Sequence, residues 1–381
     1  MLEKEIQDIL IKILYYTVNE TSGDTSFHEK FTSNVVTKVY RLAKKHSLEH
    51  LVSRYLFENE IPLEATLKEA FKSASIITAY KYERMKYAYN EICTAFDEVG
   101  IPYIPLKGSV LRSYYPEEDM RTSCDIDVLV HEDHIESAIR LLEEINYRKG
   151  EPNYHDVPLY APNGTPLELH FNILENMDCL DVVLKDAWKY AELIDGSKYA
   201  FRKEFFVFHM YAHMAYHFFS GGCGIRSLMD IWIMEHNMGV DYKCAETLLK
   251  KAGIFNFAKE MSFIANRCLS DFDFSDQVLT YIWRGGVYGS KRNQIAVQMG
   301  MNGGTLAYVL KRIFLPYRTM IISYPILKTI PLLLPICWMH RGIKAIINRK
   351  KTRLVTEFAC VNQISKNELD EITEICMRLG F

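Results

Sequence analysis

Two carboxylates, Asp125 and Asp127, stand two residues apart in the run DIDVLV. Polar and apolar residues alternate through it, the pattern of a strand with one wet face. A period of two puts both carboxylates on that face, within reach of one or two hard cations. Such close carboxylates repel unless a divalent ion lies between them, and Mg2+ suits carboxylate oxygens with a phosphate as co-ligand. The pair alone is weak evidence, because a hydrated strand edge produces the same pattern.

Two further features give the pair a context. Upstream, Lys107-Gly108-Ser109 stands where the extended run IPYIP turns into a helix start over Val110 to Tyr115. Glycine there lets the backbone approach a phosphate, helix-start N–H groups attract an anion, and Ser109 adds a hydroxyl. Downstream, TPLELHF alternates again, with Glu168 and His170 on its polar face. Placed beside DIDVLV, Glu168 completes a three-carboxylate set that can hold a second metal and take a proton from an attacking hydroxyl. Taken by itself, Glu168 reads equally well as a partly exposed residue on an edge strand. Cradle and metal site explain each other only when the ligand is a nucleotide.

The elements that must position these residues divide the chain into four parts. Residues 1–95 read as helices: Leu2, Ile6, Leu10 and Leu14 recur at a spacing of four, and Val35, Val36, Val39, Leu42 and Ala43 form a second stripe. A third stretch runs from Pro62 to Phe96 without glycine or further proline. Residues 96–200 hold the three extended runs, an amphipathic helix over His131 to Glu144 and an Asn163-Gly164 turn. Residues 201–300 are helical again, split at Ser220 to Gly224, with a glycine-rich Tyr281 to Gly304 that reads as loop. Residues 301–381 are basic and apolar, broken by Pro316, Pro325, Pro331 and Pro335. The expected fold is α+β, a small mixed sheet flanked by N-terminal and C-terminal helical regions.

The segments IPYIPLKGSVL, YYPEEDMRTSCDIDVLV and LELHF together resemble the uncharacterised bacterial nucleotidyltransferases of the DNA polymerase β-like superfamily. The resemblance spans roughly residues 30–345, with the middle third its specific part. It departs from the superfamily in the fifteen residues between Ser109 and Asp125, a longer gap than usual. It departs also in a glutamate as the third acid, which bears on the general base and not on the metal site. The resemblance implies Asp125, Asp127 and Glu168 as catalytic metal ligands for two Mg2+ ions, with Mn2+ as an alternative. It implies Gly108 and Ser109 on the β and γ phosphates, with Lys107 and Arg121 offsetting charge in the transition state. The implied reaction moves an NMP from an NTP to a hydroxyl or other nucleophile of a small molecule, sugar, lipid or peptide, releasing pyrophosphate. Two other readings stand beside it: a non-catalytic nucleotide- or polyanion-binding protein that keeps the fold, and a toxin-type enzyme that modifies a partner protein.

Other residues carry weaker signals. His209, His213 and His217 share one helix face, but there is no HExxH and their neighbours are aromatic, so zinc is a minor reading. The resembled family carries the same helices after its catalytic part, which makes His217, Arg226 and Asp230 candidates to line the nucleotide or acceptor cleft. A buried Arg226–Asp230 pair serving structure alone fits as well. Cys124 has no nearby histidine to activate it, and Tyr114-Tyr115-Pro116 reads first as packing.

The net charge of −3 hides an asymmetry: Gln277 to Thr356 contains no Asp or Glu but many Lys and Arg. For residues 311–353 three readings remain open: a solvated face, contact with an anionic membrane surface, and nucleic acid, the last disfavoured by the lack of any RNA-binding signature. The apolar window Thr319 to Met339 contains Lys328 and three prolines, which argues against a spanning helix. Nine cysteines without CxxC pairs, and a start without a secretory signal, point to a cytoplasmic chain with reduced thiols, peripheral at most to a membrane.

Overall fold

Seven strands make one mixed sheet: β1 (Tyr103–Pro105), β2 (Ile126–Val130), β3 (Arg148–Lys149), β4 (Asp156–Tyr160), β5 (Pro166–His170), β6 (Ala191–Asp195) and β7 (Lys198–Phe201). Their order is β3-β4-β5-β2-β1-β7-β6. The computed structural model describes residues 2–270, 272, 274–287, 289–301, 303–347, 357, 360–361 and 363–381. At the centre, β2 runs antiparallel to β1 and parallel to β5. The α+β expectation with helical flanks agrees with this architecture.

Alternation along the strands sorts the side chains into two faces. Ile126, Val128, Val130, Val157, Leu159, Leu167 and Leu169 form one apolar cluster. The intervening residues Asp127, Asp156, Glu168 and His170 therefore share the opposite face. Two helices cover the apolar face. Helix Ala65–Val99 contributes Met85, Ala88, Ile92 and Phe96, spaced three and four apart. Helix Ile135–Glu144 adds Ala138, Ile139 and Leu142. Each large side chain fully buried here contributes roughly 1.5–3 kcal/mol. Gly100 ends the long helix at φ +77°, a left-handed position where a Cβ is strained, and its N–H bonds to the Phe96 carbonyl. The chain then enters β1 directly.

The chain divides into two compact units: residues 1–216 with 224–280, and 217–223 with 281–381. The first holds the sheet together with the N-terminal helices Leu2–Val18, Ser33–Lys45 and Glu49–Glu58. In the second, the glycine-rich stretch expected to be loop is largely helical, a correction to the sequence reading. Helix Lys291–Met301 buries Ile295, Ala296, Val297 and Met299. Gly300 permits a close helix approach, since a Cβ there would lie 3.2 Å from Thr373 Oγ1 of helix Lys366–Leu379. The glycine reflects tight packing and not a turn. Partners for the basic segment come from the C-terminal acids: Arg284 pairs with Glu371, Arg292 with Glu368, and Lys291 and Arg312 with Glu357. The charge asymmetry of the sequence is thus partly cancelled within the unit.

The prolines of the tail start short elements. Pro325 and Pro331 open 3-10 turns, and Pro316 precedes helix Tyr317–Ser323. Among the described residues no helix is long and apolar enough to cross a membrane. Arg349, Lys350, Lys351 and Arg353 lie outside the described residues. None of the nine cysteines is joined in a disulfide.

In helix Glu49–Glu58, buried His50 places Nε2 3.0 Å from the Met120 carbonyl. Burial holds its imidazole down to about 4, against an ordinary value of 6.5. An unfolded chain takes up this proton as pH falls through 6.5, whereas the folded chain resists until about 4. Stability contributed by neutral His50 is therefore present above 6.5 and is lost between those values, by up to about 3 kcal/mol. Denaturant melts at pH 7 and pH 4.5 should show a larger loss for the wild type than for H50Q, whose amide can still donate to Met120. Equal losses would exclude His50 as the source.

Candidate active site

The polar face of the sheet centres on Asp127, a buried residue of β2. A buried carboxylate needs cationic or hydrogen-bonding partners. Lys107 Nζ donates to Asp127 Oδ1 at 3.1 Å, and His170 Nε2 lies 3.1 Å from the same oxygen. Burial alone would raise the Asp127 carboxyl, but Lys107 and the His170 hydrogen bond outweigh it and hold the group well below the usual carboxylate range. Burial likewise opposes the Lys107 ammonium, and Asp127 and Glu175 outweigh it to raise its pKa.

Register brings the other acids to the same place. Asp127 and Glu168 are direct partners across β2 and β5, so their side chains emerge side by side. Glu168 Oε2 lies 3.5 Å from His170 Nε2. Ligand atoms of Asp127, Glu168 and His170 all fall within 4.8 Å of one another, a spacing that could hold a metal ion. Asp125, one residue before β2, is outside this tight set. Burial, Asp127 and Glu168 push its carboxyl up to about 6, the mark of an anionic cluster short of positive charge. Carboxylates that repel in this way are a donor set that a divalent cation fits.

Lys107 reaches Asp127 because its backbone takes φ +44°, an unusual conformation for a residue with a Cβ, at a cost of about 1–3 kcal/mol. The expected cradle helix is short: Gly108–Leu111, followed by a 3-10 turn over Arg112–Tyr114. Ser109 N–H bonds to the Leu106 carbonyl and Val110 N–H to that of Lys107. Those two donors are already engaged, so the cradle offers fewer free amides than its sequence suggested. Gly108 meets a different constraint: a Cβ there would come within 2.2 Å of Arg121 Nη1. Glycine is needed because the Arg121 guanidinium packs against the turn.

Arg121 is itself buried and bound bidentately by Asp230, Nε to Oδ1 at 3.0 Å and Nη2 to Oδ2 at 2.9 Å. Tyr115 donates to Asp230 Oδ1 at 2.8 Å. Arg226, one turn earlier on helix Ile225–His236, donates instead to the Thr122 carbonyl at 3.0 Å. The Arg226–Asp230 pair considered from spacing is therefore replaced by two separate ties to the loop before β2. His217 belongs to the second unit, while the remaining candidates lie in the first. Cys124 is exposed, and Tyr115 is buried against Asp230 and not open to a base.

Several residues enter the site without having been singled out. His170 had been placed on the polar face but given no role, although its period-two relation to Glu168 was the available signal. Glu175 follows β5 in a loop, where no periodicity points to it. Burial pushes its carboxyl up to about 7, with His213 Nδ1 2.9 Å away. Asp156 faces His170 from β4.

A carboxylate face beside a lysine-bearing turn, on a mixed sheet, suits an enzyme that handles phosphorylated substrates. The family described as uncharacterised nucleotidyltransferase matches residues 33–270, more than half of the chain, and the protein belongs to that family. It is accordingly a transferase of phosphorus-containing groups, and the family implies an NTP substrate. No curated protein and no solved structure matches the chain.

Replacing Asp230 by Asn leaves Arg121 buried without a counter-ion. We expect D230N to lose about 3–5 kcal/mol in a denaturant melt, and an apolar R121M/D230L pair to recover most of it. An unchanged midpoint for D230N would show that the pair carries no stability.

Proposed function

We propose that the protein transfers a nucleoside monophosphate from an NTP to a hydroxyl or other nucleophile and releases pyrophosphate. The observation that carries this reading is the side-by-side register of Asp127 and Glu168, with Asp125 one step away and Lys107 reaching into the same face. Asp125, Asp127 and Glu168 would hold two Mg2+ ions, or Mn2+. Bound there, the ions would neutralise the triphosphate and polarise the transferred phosphoryl group.

The chain's own residues divide the remaining work. Gly108 and Ser109 would present the turn to the β and γ phosphates. Lys107 would offset charge as the phosphoryl group moves, since its ammonium already sits on Asp127. Arg121 and Asp230 would act through the Gly108 turn that they support, and Arg226 through Thr122. Glu168 is the more exposed acid of its pair, 38% against 10% for Asp127 by side chain, and so the better placed to orient or deprotonate an acceptor hydroxyl. The acceptor belongs to the class of small molecules, sugars, lipids or peptides, with nucleic acid disfavoured.

A peripheral membrane contact through residues 311–353 is part of the same proposal. Ile336, Met339 and Ile343 are exposed at helical spacing on Leu334–Ile347, with Lys344 on the same helix and Leu332 just before it. Apolar residues interleaved with basic ones suit an anionic lipid surface.

D125N/D127N should abolish metal-dependent NTP turnover, and a thermal-shift screen of ATP, CTP, GTP and UTP should show stabilisation only with Mg2+. Turnover that survives the double substitution would overturn the assignment. Flotation with vesicles rich in phosphatidylserine should carry the wild type upward and leave L332S/I336S/M339S/I343S behind. Equal failure of both proteins to float, together with no RNA binding by the wild type, would leave only a solvated face.

A further inference from the structure

On β4, beside the carboxylate face, stands a group of a different chemical character. His155 immediately precedes β4, Asp156 opens it, and Asp156 is the direct cross-strand partner of His170 on β5. Ligand atoms of His155, Asp156 and His170 lie within 4.8 Å of one another. The two imidazoles are near-parallel, with ring centroids 5.3 Å apart and planes 23° from each other. The backbone at this point is pinned, since Phe171 N–H donates to the His155 carbonyl at 3.0 Å.

Three observations show an unmet requirement here. Asp156 is 1% exposed, and its carboxylate meets the Asn153 amide at 3.0 Å and His155 Nε2 at 2.8 Å, neither a permanent cation. A carboxylate so deeply buried calls for positive charge. His170 is 3% exposed and spends Nε2 on Asp127 and Glu168, which leaves Nδ1 buried with no hydrogen-bond partner. The Nδ1 of His155 is orphaned in the same way. Buried polar atoms are rarely left so, and a metal ion, which accepts lone pairs and brings positive charge, would meet this requirement.

We propose that His155, Asp156 and His170 form a second metal site, built for a nitrogen-preferring divalent ion of the Zn2+ class. Two imidazoles and one carboxylate select such ions over Mg2+, which favours all-oxygen shells, and a solvent molecule would complete a tetrahedron. Metal-bound histidines characteristically donate their other ring N–H to a carboxylate. His170 is set up in that manner, with one ring nitrogen on Asp127 and the other toward this cluster. An ion here would fix the tautomer of His170 and so the orientation of Asp127. The site stands whether or not Asp127 itself holds an ion.

The test uses the full chain, stripped with chelator and then dialysed against Zn2+ or Co2+. Elemental analysis should return about one tightly held Zn2+ per chain, and Co2+ should give the intense visible bands of a tetrahedral site. H155A and D156N, each checked for folding by circular dichroism, should weaken binding by more than about tenfold. D125N, which lies outside the cluster, should leave it unchanged. Wild-type protein that retains no Zn2+ would overturn the proposal, as would undiminished binding by folded H155A and D156N. Loss in D125N equal to that in H155A would place the ion on the carboxylate face instead. Because the readout is metal content and not turnover, its failure is distinct from failure of the nucleotidyl-transfer reading.

Discussion

A buried negative charge at Asp127 sets the terms for everything around it. An isolated carboxylate in that position would cost several kcal/mol, so the fold must bring it partners. It does so from two directions, with the Lys107 ammonium from the turn after β1 and the His170 imidazole from β5. Each partner brings a constraint of its own. Lys107 holds a strained backbone to reach inward, and β5 must lie parallel to β2 in the one register that sets Glu168 beside Asp127. A slip of one residue would send Glu168 and His170 into the apolar core and turn Leu167 and Leu169 out onto the polar face.

The long connection between Ser109 and Asp125 follows from the same need for rigidity. Its ends belong to the site, so its middle has to be held. Arg54 pairs with Glu117 and Asp119, His50 meets the Met120 carbonyl, and Tyr82 and Lys86 reach Glu118. From the other side Asp230 grips Arg121 and Tyr115, and Arg226 holds Thr122. Helices far apart in sequence thus clamp one loop, and Gly108 is packed against the guanidinium at its centre. The helices of the first unit thus frame the candidate site, and the family match likewise extends well beyond the sheet.

Within the first unit, acids gather on one face of the sheet where few permanent cations are available. Asp125, Asp127, Glu168 and Glu175 act on Lys107, and Asp156 stands beside the imidazoles of His155 and His170. Such a face is predisposed to take up cations, and its histidines and carboxylates grade from β2 toward β4. That gradient in donor type would favour a harder ion near Asp125 and a softer one near His155.

Much of this arrangement was legible in the residues themselves. Period-two alternation in DIDVLV and LELHF decided which side chains face the core, because the pleat leaves no other choice. The helix stripes of residues 1–95 were equally plain, since an amphipathic helix has only one face to bury. Less legible were contacts that depend on distant segments meeting. Arg226 and Asp230 sit one turn apart and read as a pair, yet the loop before β2 supplies each with a different partner. Gly300 reads as a chain breaker until Thr373 is brought against it. Asp156 and Glu175 carry no sequence signal, because their burial and their neighbours exist only once β4, β5 and the following helices have packed. Local periodicity is a property of the backbone and can be read in order along the chain. Charge compensation and close packing are relations between segments, and only the folded chain decides them.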